Sequence, residues 1–98
     1  MALIRATSGS GGSASYTFKS YSITTTTVNI TITNGYYAIY CTDNSHPVQN
    51  GYFVEKVRTI SNPYADAPYY ATISDSNGVL SVTKAGSKNI TVEVYSDD

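Results

Sequence analysis

Cys41 and His46 are the one pair in this 98-residue chain whose types and spacing suggest covalent chemistry, a thiol five positions before a base. A thiolate nucleophile needs an imidazole within hydrogen-bond reach and a group that orients it. Cys41 instead ends the alternating run Tyr37-Ala38-Ile39-Tyr40-Cys41, which puts it on the apolar side of a strand, where a thiol behaves as a small hydrophobe. His46 falls in a loop just before Pro47, with no partner indicated. No residue is assigned a catalytic role, and an enzyme is not expected.

Asp43-Asn44-Ser45-His46 and Asp75-Ser76-Asn77-Gly78 gather oxygen ligands of the kind calcium takes. The second lacks the leading Asp and the distal bidentate Glu of a calcium loop, and Asp, Asn and Gly are also what tight turns require. No metal or cofactor is therefore expected. Asn29-Ile30-Thr31 and Asn89-Ile90-Thr91 match the N-glycosylation pattern, which alternation of Thr and Ile in a strand generates incidentally.

The ten tyrosines are the concentrated functional resource. Tyrosine offers a large contact area at low entropic cost and a hydroxyl for hydrogen bonding. Tyr36 and Tyr40 are expected on the polar face of a hairpin, and Tyr64, Tyr69 and Tyr70 cluster at a long loop. These five are the candidate partner or ligand contacts, whereas Tyr16 and Tyr37 read as cross-strand packing.

The elements that must position them are strands. The chain holds 13 Ser and 13 Thr and no Trp, and residues that favour helices are sparse. Thr25–Thr33 alternates Val28, Ile30 and Ile32 with Thr and Asn, and Asn34-Gly35 is the strongest short signal for a hairpin turn. The spacing predicts a return strand over Tyr36–Thr42, with Ile32 opposite Tyr37, Ile30 opposite Ile39 and Val28 opposite Cys41. A first strand is expected over Ser15–Ser22 with Tyr16 and Phe18 inward. Gly51–Ile60 carries apolar residues on both parities and reads as a strand covered on both faces or bulged. Tyr69–Ser74 and Val79–Thr83 flank a four-residue loop that pairs Ile73 with Leu80 and Ala71 with Val82. A three-residue loop at Ala85-Gly86-Ser87 then pairs Val82 with Ile90 and Leu80 with Val92 in a last strand over Asn89–Tyr95. Longer loops fall at Asp43–Asn50 and Ser61–Pro68. The expectation is an all-β, roughly seven-stranded antiparallel sandwich, immunoglobulin-like or jelly-roll-like, over residues 14–98, with no helix.

Residues 1–13 differ in kind. Met1-Ala2-Leu3-Ile4-Arg5-Ala6-Thr7 is a short apolar tip, and Ser8-Gly9-Ser10-Gly11-Gly12-Ser13 is a tether expected to be mobile unless something holds it. Ala2-Leu3-Ile4 is too short for a signal-peptide core, and Arg5 follows it instead of preceding it. Net charge is −1 with 13% charged residues, so neither a nucleic-acid partner nor an anionic surface is expected. No run approaches the roughly 18 apolar residues of a membrane span, so membrane insertion is not expected. The lone cysteine rules out an internal disulfide framework.

A Met-Ala-Leu-Ile-Arg tip, a Ser/Gly tether and a Thr/Tyr-rich β domain together resemble the small virion proteins of tailed bacteriophages and prophages: decoration, head-fibre and tail-accessory proteins. The resemblance implies a non-enzymatic structural or adhesion protein, made in the host cytoplasm and carried in the virion. It implies docking on other virion proteins through Met1, Leu3, Ile4 and Arg5, and display of the loops near Asp43–Asn50 and Ser61–Pro68. A second likeness is to bacterial immunoglobulin-like modules, whose last strands resemble Val79–Thr83 and Ile90–Tyr95. The low charge leaves strand edges without gatekeepers, and with the first resemblance this implies a homo-oligomer, a trimer foremost. The alternative function is a carbohydrate-binding module using Tyr36 and Tyr40, with a glycan or cell-surface receptor as ligand.

Overall fold

Alternating β-branched, aromatic and hydroxyl residues form eight strands in the computed structural model, which describes residues 15–98. The docking arm and tether expected over residues 1–13 lie outside the described residues. The strands are β1 Thr17–Ile23, β2 Thr27–Thr31, β3 Gly35–Cys41, β4 Pro47–Val54, β5 Val57–Pro63, β6 Ala71–Ser76, β7 Val79–Lys84 and β8 Ile90–Ser96. They build two antiparallel sheets packed as a sandwich: five strands in the order β1-β8-β3-β4-β5 and three in the order β2-β7-β6. Ile30, Leu80 and Val82 from the smaller sheet meet Tyr37, Ile39, Cys41, Phe53, Val92 and Val94 from the larger in one core.

The expected all-β sandwich is therefore the fold, but several pairings within it differ. Asn34-Gly35 does not turn a hairpin; β2 and β3 belong to opposite sheets, and residues 32–34 cross between them. Gly35 is required there because β8 approaches so closely that an added Cβ would lie 2.1 Å from the Tyr95 carbonyl oxygen. The Asn34 side chain bridges its neighbours, accepting from the Glu55 backbone N–H at 2.9 Å and donating to Asp97 at 3.0 Å. Likewise β7 and β8 lie in different sheets and do not pair, so the expected Val82–Ile90 and Leu80–Val92 pairs are replaced by β7 with β2 and β6, and β8 with β1 and β3.

The mixed parity of Gly51–Ile60 comes from a tight turn, not from a strand covered on both faces. Glu55 and Lys56 both take positive φ, 47° and 71°, as the two central residues of a type I′ turn must, and the chain folds back as β5. A second such turn sits at Asn77-Gly78, with φ of 48° and 81°. This two-residue loop replaces the expected four-residue one and pairs Ile73 with Val82 and Asp75 with Leu80. One helical turn, α1 Ala67–Tyr70, interrupts what was expected to be loop and strand; Pro68 stands at its start, where a missing N–H costs nothing.

Tyr16 and Phe18 do not face the core. In β1 the inward parity is that of Tyr21 and Ile23, and Phe18 is 47% exposed on the outer face. A polar chain crosses the sandwich at its open side. The Tyr37 hydroxyl donates to Gln49 Oε1 at 2.7 Å, Arg58 Nη1 donates to the same oxygen at 3.1 Å, and Arg58 Nε meets Asp75 Oδ1 of the other sheet at 2.8 Å.

The domain has two distinct ends. Thr17, where the chain emerges from residues 1–16, lies opposite Ser96, which lies opposite Gly35. At this end Asp98 accepts from the Thr33 backbone N–H at 2.7 Å and its hydroxyl at 3.0 Å, and Asp97 holds Asn34. The far end, six residues of strand or about 20 Å away, carries residues 24–26, 42–46, 64–66 and 85–89.

Candidate functional site

Strand pleating sends every second residue of the five-stranded sheet outward, and the register lines these residues into rows. The first row runs Phe18–Tyr95–Tyr36–Tyr52 across β1, β8, β3 and β4. Phe18 and Tyr95 meet edge to face with centroids 5.1 Å apart, Tyr36 and Tyr52 lie 5.9 Å apart, and Tyr16 caps Tyr36 at 6.4 Å. Five rings thus lie in one aromatic stripe, a Phe18–Tyr95 pair and a Tyr16–Tyr36–Tyr52 group brought side by side by the β3–β8 register, at the end where the chain enters β1. Tyr36 is only 6% exposed, so its own surface serves the stripe, while Phe18 and Tyr95 (40% exposed) present theirs outward.

The next row is Ser20–Glu93–Ala38–Asn50. Ala38 is the smallest outward residue of β3, and it lies, 2% exposed, at the base of a depression of about 390 Å³ toward the loop end. Glu93 and Asn50 stand on either side of it, and Tyr40, Pro47 and Ser45 close the far rim. A bulge shapes that rim: Ile39 pairs with Gln49 but Tyr40 pairs with Pro47, so Val48 is the extra residue on β4. The Tyr40 hydroxyl donates to Glu93 Oε2 at 2.9 Å. Partial burial and this bond to a carboxylate hold the Tyr40 phenol in its neutral form, with its pKa raised above the usual tyrosine value.

The other candidate tyrosines sit at the loop end. Tyr69, 80% exposed, lies within α1, and Tyr64, 36% exposed, precedes it. Tyr70 packs partly against the core and lies 5.0 Å from the His46 ring. His46 is not without a partner: its Nε2 meets Asp66 Oδ2 at 2.8 Å and ties the 42–46 loop to the segment before α1. No sequence signal marks this contact, because the two residues are twenty positions apart in separate loops. The Cys41 side chain is fully buried, its thiol pushed up in pKa by burial, while the imidazole is directed to Asp66, so the two do not form a nucleophile–base pair. Among the described residues no cluster of three or more His, Cys, Asp or Glu side chains is arranged to hold a metal ion.

Sequence reasoning found Tyr36 and Tyr40 on one outer face but missed Phe18, Tyr52, Tyr95 and Glu93, which only the sheet order brings beside them. Met1, Leu3, Ile4 and Arg5 lie outside the described residues. No protein-family model, curated protein or solved structure matches this chain.

Proposed function

We propose that this chain is a non-enzymatic structural and adhesion component of a phage particle. Residues 1–13 and the adjoining aromatic stripe dock it, and the loop end is displayed. The observation that carries this reading is the separation of the two ends. The chain emerges from the arm beside the Phe18–Tyr95–Tyr36–Tyr52 stripe, while the Tyr64, Tyr69 and His46–Asp66 loops lie about 20 Å away along the strands. Exposed aromatic surface at the end where the described chain begins, following an apolar segment in sequence, has the composition of a protein–protein interface.

Self-association belongs to the same proposal. The free edge strand β5 exposes Val57 (67%) and Ile60 (40%), and its only charge, Arg58, is turned inward to Asp75. Such an edge lacks the charged residues that normally block strand pairing, and a homo-oligomer, a trimer foremost, covers it.

The experiment is deletion of residues 1–13. The remaining domain is expected to keep its melting temperature and to be absent from particles purified on a density gradient. Incorporation at the wild-type level contradicts the proposal. Sedimentation of the full chain as a stable monomer at micromolar concentration contradicts the oligomer.

A further inference from the structure

We infer that the depression over Ala38 is a binding site for a single neutral sugar ring. This inference deepens the adhesion reading and rests on it, since the depression opens toward the end proposed for display. The lining carries the argument. Ala38, 2% exposed, only leaves room at its base, and the apolar surface comes from the Pro47 and Tyr40 rings, which suit the C–H face of a pyranose.

The polar groups around that base are of both kinds. Asn50 brings a carboxamide that donates and accepts and makes no side-chain hydrogen bond with the described residues, and Ser45 brings a hydroxyl. Glu93 brings a carboxylate whose one side-chain bond with the described residues, from Tyr40, engages Oε2 and leaves Oε1 for a ligand. Donors and acceptors together beside two apolar rings match a polyol, whose hydroxyls do both. A cationic side chain needs acceptors alone and leaves the Asn50 and Ser45 donors unmatched. The volume, about 390 Å³, lies at the small end of the roughly 300–1,000 Å³ typical of small-ligand sites, enough for one ring and not for a buried chain.

The geometry also explains why Ala38 is small. Every other outward position of β3 carries a tyrosine, Tyr36 and Tyr40, and a third ring between them fills the depression.

The test is a backbone-amide NMR titration of the full chain with methyl glycosides of glucose, mannose, galactose and N-acetylglucosamine. At least one is expected to shift the amides of Ala38, Tyr40 and Asn50 saturably, with a dissociation constant of about 1–10 mM, the range open to a ligand of this size. Ala38→Leu fills the base and is expected to abolish the shifts. Asn50→Ala leaves the backbone register untouched and is expected to weaken binding about fivefold, which guards against misfolding of the first variant. Glu93→Gln keeps the shape and is expected to weaken binding severalfold without abolishing it. Absence of saturable shifts with all four glycosides overturns the inference. So does saturable binding of N-acetylarginine amide that Glu93→Gln abolishes, since that identifies a cationic peptide side chain as the ligand. Particle incorporation of the 1–13 deletion does not involve this depression, so failure of the docking reading and failure of sugar binding are read by separate measurements.

Discussion

The Tyr40 hydroxyl donates a 2.9 Å hydrogen bond to Glu93, a residue 53 positions later in the chain, and the pair spans β3 and β8 on the outer face of the larger sheet. The bond directs a ring and a carboxylate toward one depression and keeps the phenol neutral. Removing the hydroxyl in Tyr40→Phe is expected to cost about 0.5–1 kcal/mol, because the pair is only partly buried and water replaces the lost donor. Urea unfolding of the two proteins measures it; a loss several times larger means that the bond supports the core.

Tyr37 gives the fold an alkaline weakness. Burial, the largest cause, raises its pKa to about 12, against about 10 in an unfolded chain. Below pH 10 both states hold the proton and stability is full. Between pH 10 and 12 the unfolded state releases it first, so stability falls as pH rises, by about 3 kcal/mol as an order of magnitude. Tyr37→Phe is expected to be less stable at neutral pH, where the hydroxyl bonds Gln49, and to show a shallower decline above pH 10. Urea midpoints from pH 8 to 12 follow both effects.

Gly35 distinguishes the observed sheet order from a hairpin. With β8 so near, Gly35→Ala forces the new methyl onto the Tyr95 carbonyl and the Ser96 backbone, and a cost of about 3 kcal/mol or more is expected, since backbone must move to relieve it. Were Asn34-Gly35 an exposed hairpin turn, the same change would cost about 1 kcal/mol. Thermal melting of the variant separates the two.

The distinction shows what could be read in the sequence. Val28, Ile30, Ile32, Tyr37, Ile39 and Cys41 occupy every second position of residues 28–32 and 37–41, and all of them face the core. That parity is satisfied equally by two strands paired in one sheet and by two strands facing each other across a sandwich. Alternation therefore identified these six buried side chains and the fold class but not the partners, and in β1 it gave the wrong parity for Tyr16 and Phe18. The deciding contacts are long-range: Asp98 on Thr33, Asp97 and Glu55 on Asn34, and β8 against Gly35. Glu55-Lys56 was missed as a turn because neither residue is one that usually accepts positive φ. The aromatic stripe was illegible for the same reason as the pairing, since Phe18, Tyr95, Tyr36 and Tyr52 become neighbours only through the order β1-β8-β3-β4.

The Glu55-Lys56 turn offers a stabilising change. A non-glycine residue at φ 71° costs about 1 kcal/mol relative to glycine, so Lys56→Gly is expected to raise stability by up to that amount, less the entropy glycine adds to the unfolded chain. A higher urea midpoint with an unchanged m-value is the expected result, and a lower midpoint means that the Lys56 side chain, packed beside Gly78, contributes more than its backbone costs.

The central proposal is that the aromatic stripe at the end where the chain enters β1 is the docking surface, and hydroxyl-radical footprinting of Phe18 and Tyr95 tests it most directly. Both rings are exposed in the isolated domain, so oxidation of the free chain should be ready. In purified particles their oxidation is expected to fall severalfold, while Tyr69 at the loop end remains as reactive as in the free chain. Undiminished oxidation of Phe18 and Tyr95 in the particle, or protection of Tyr69 in their place, contradicts the account.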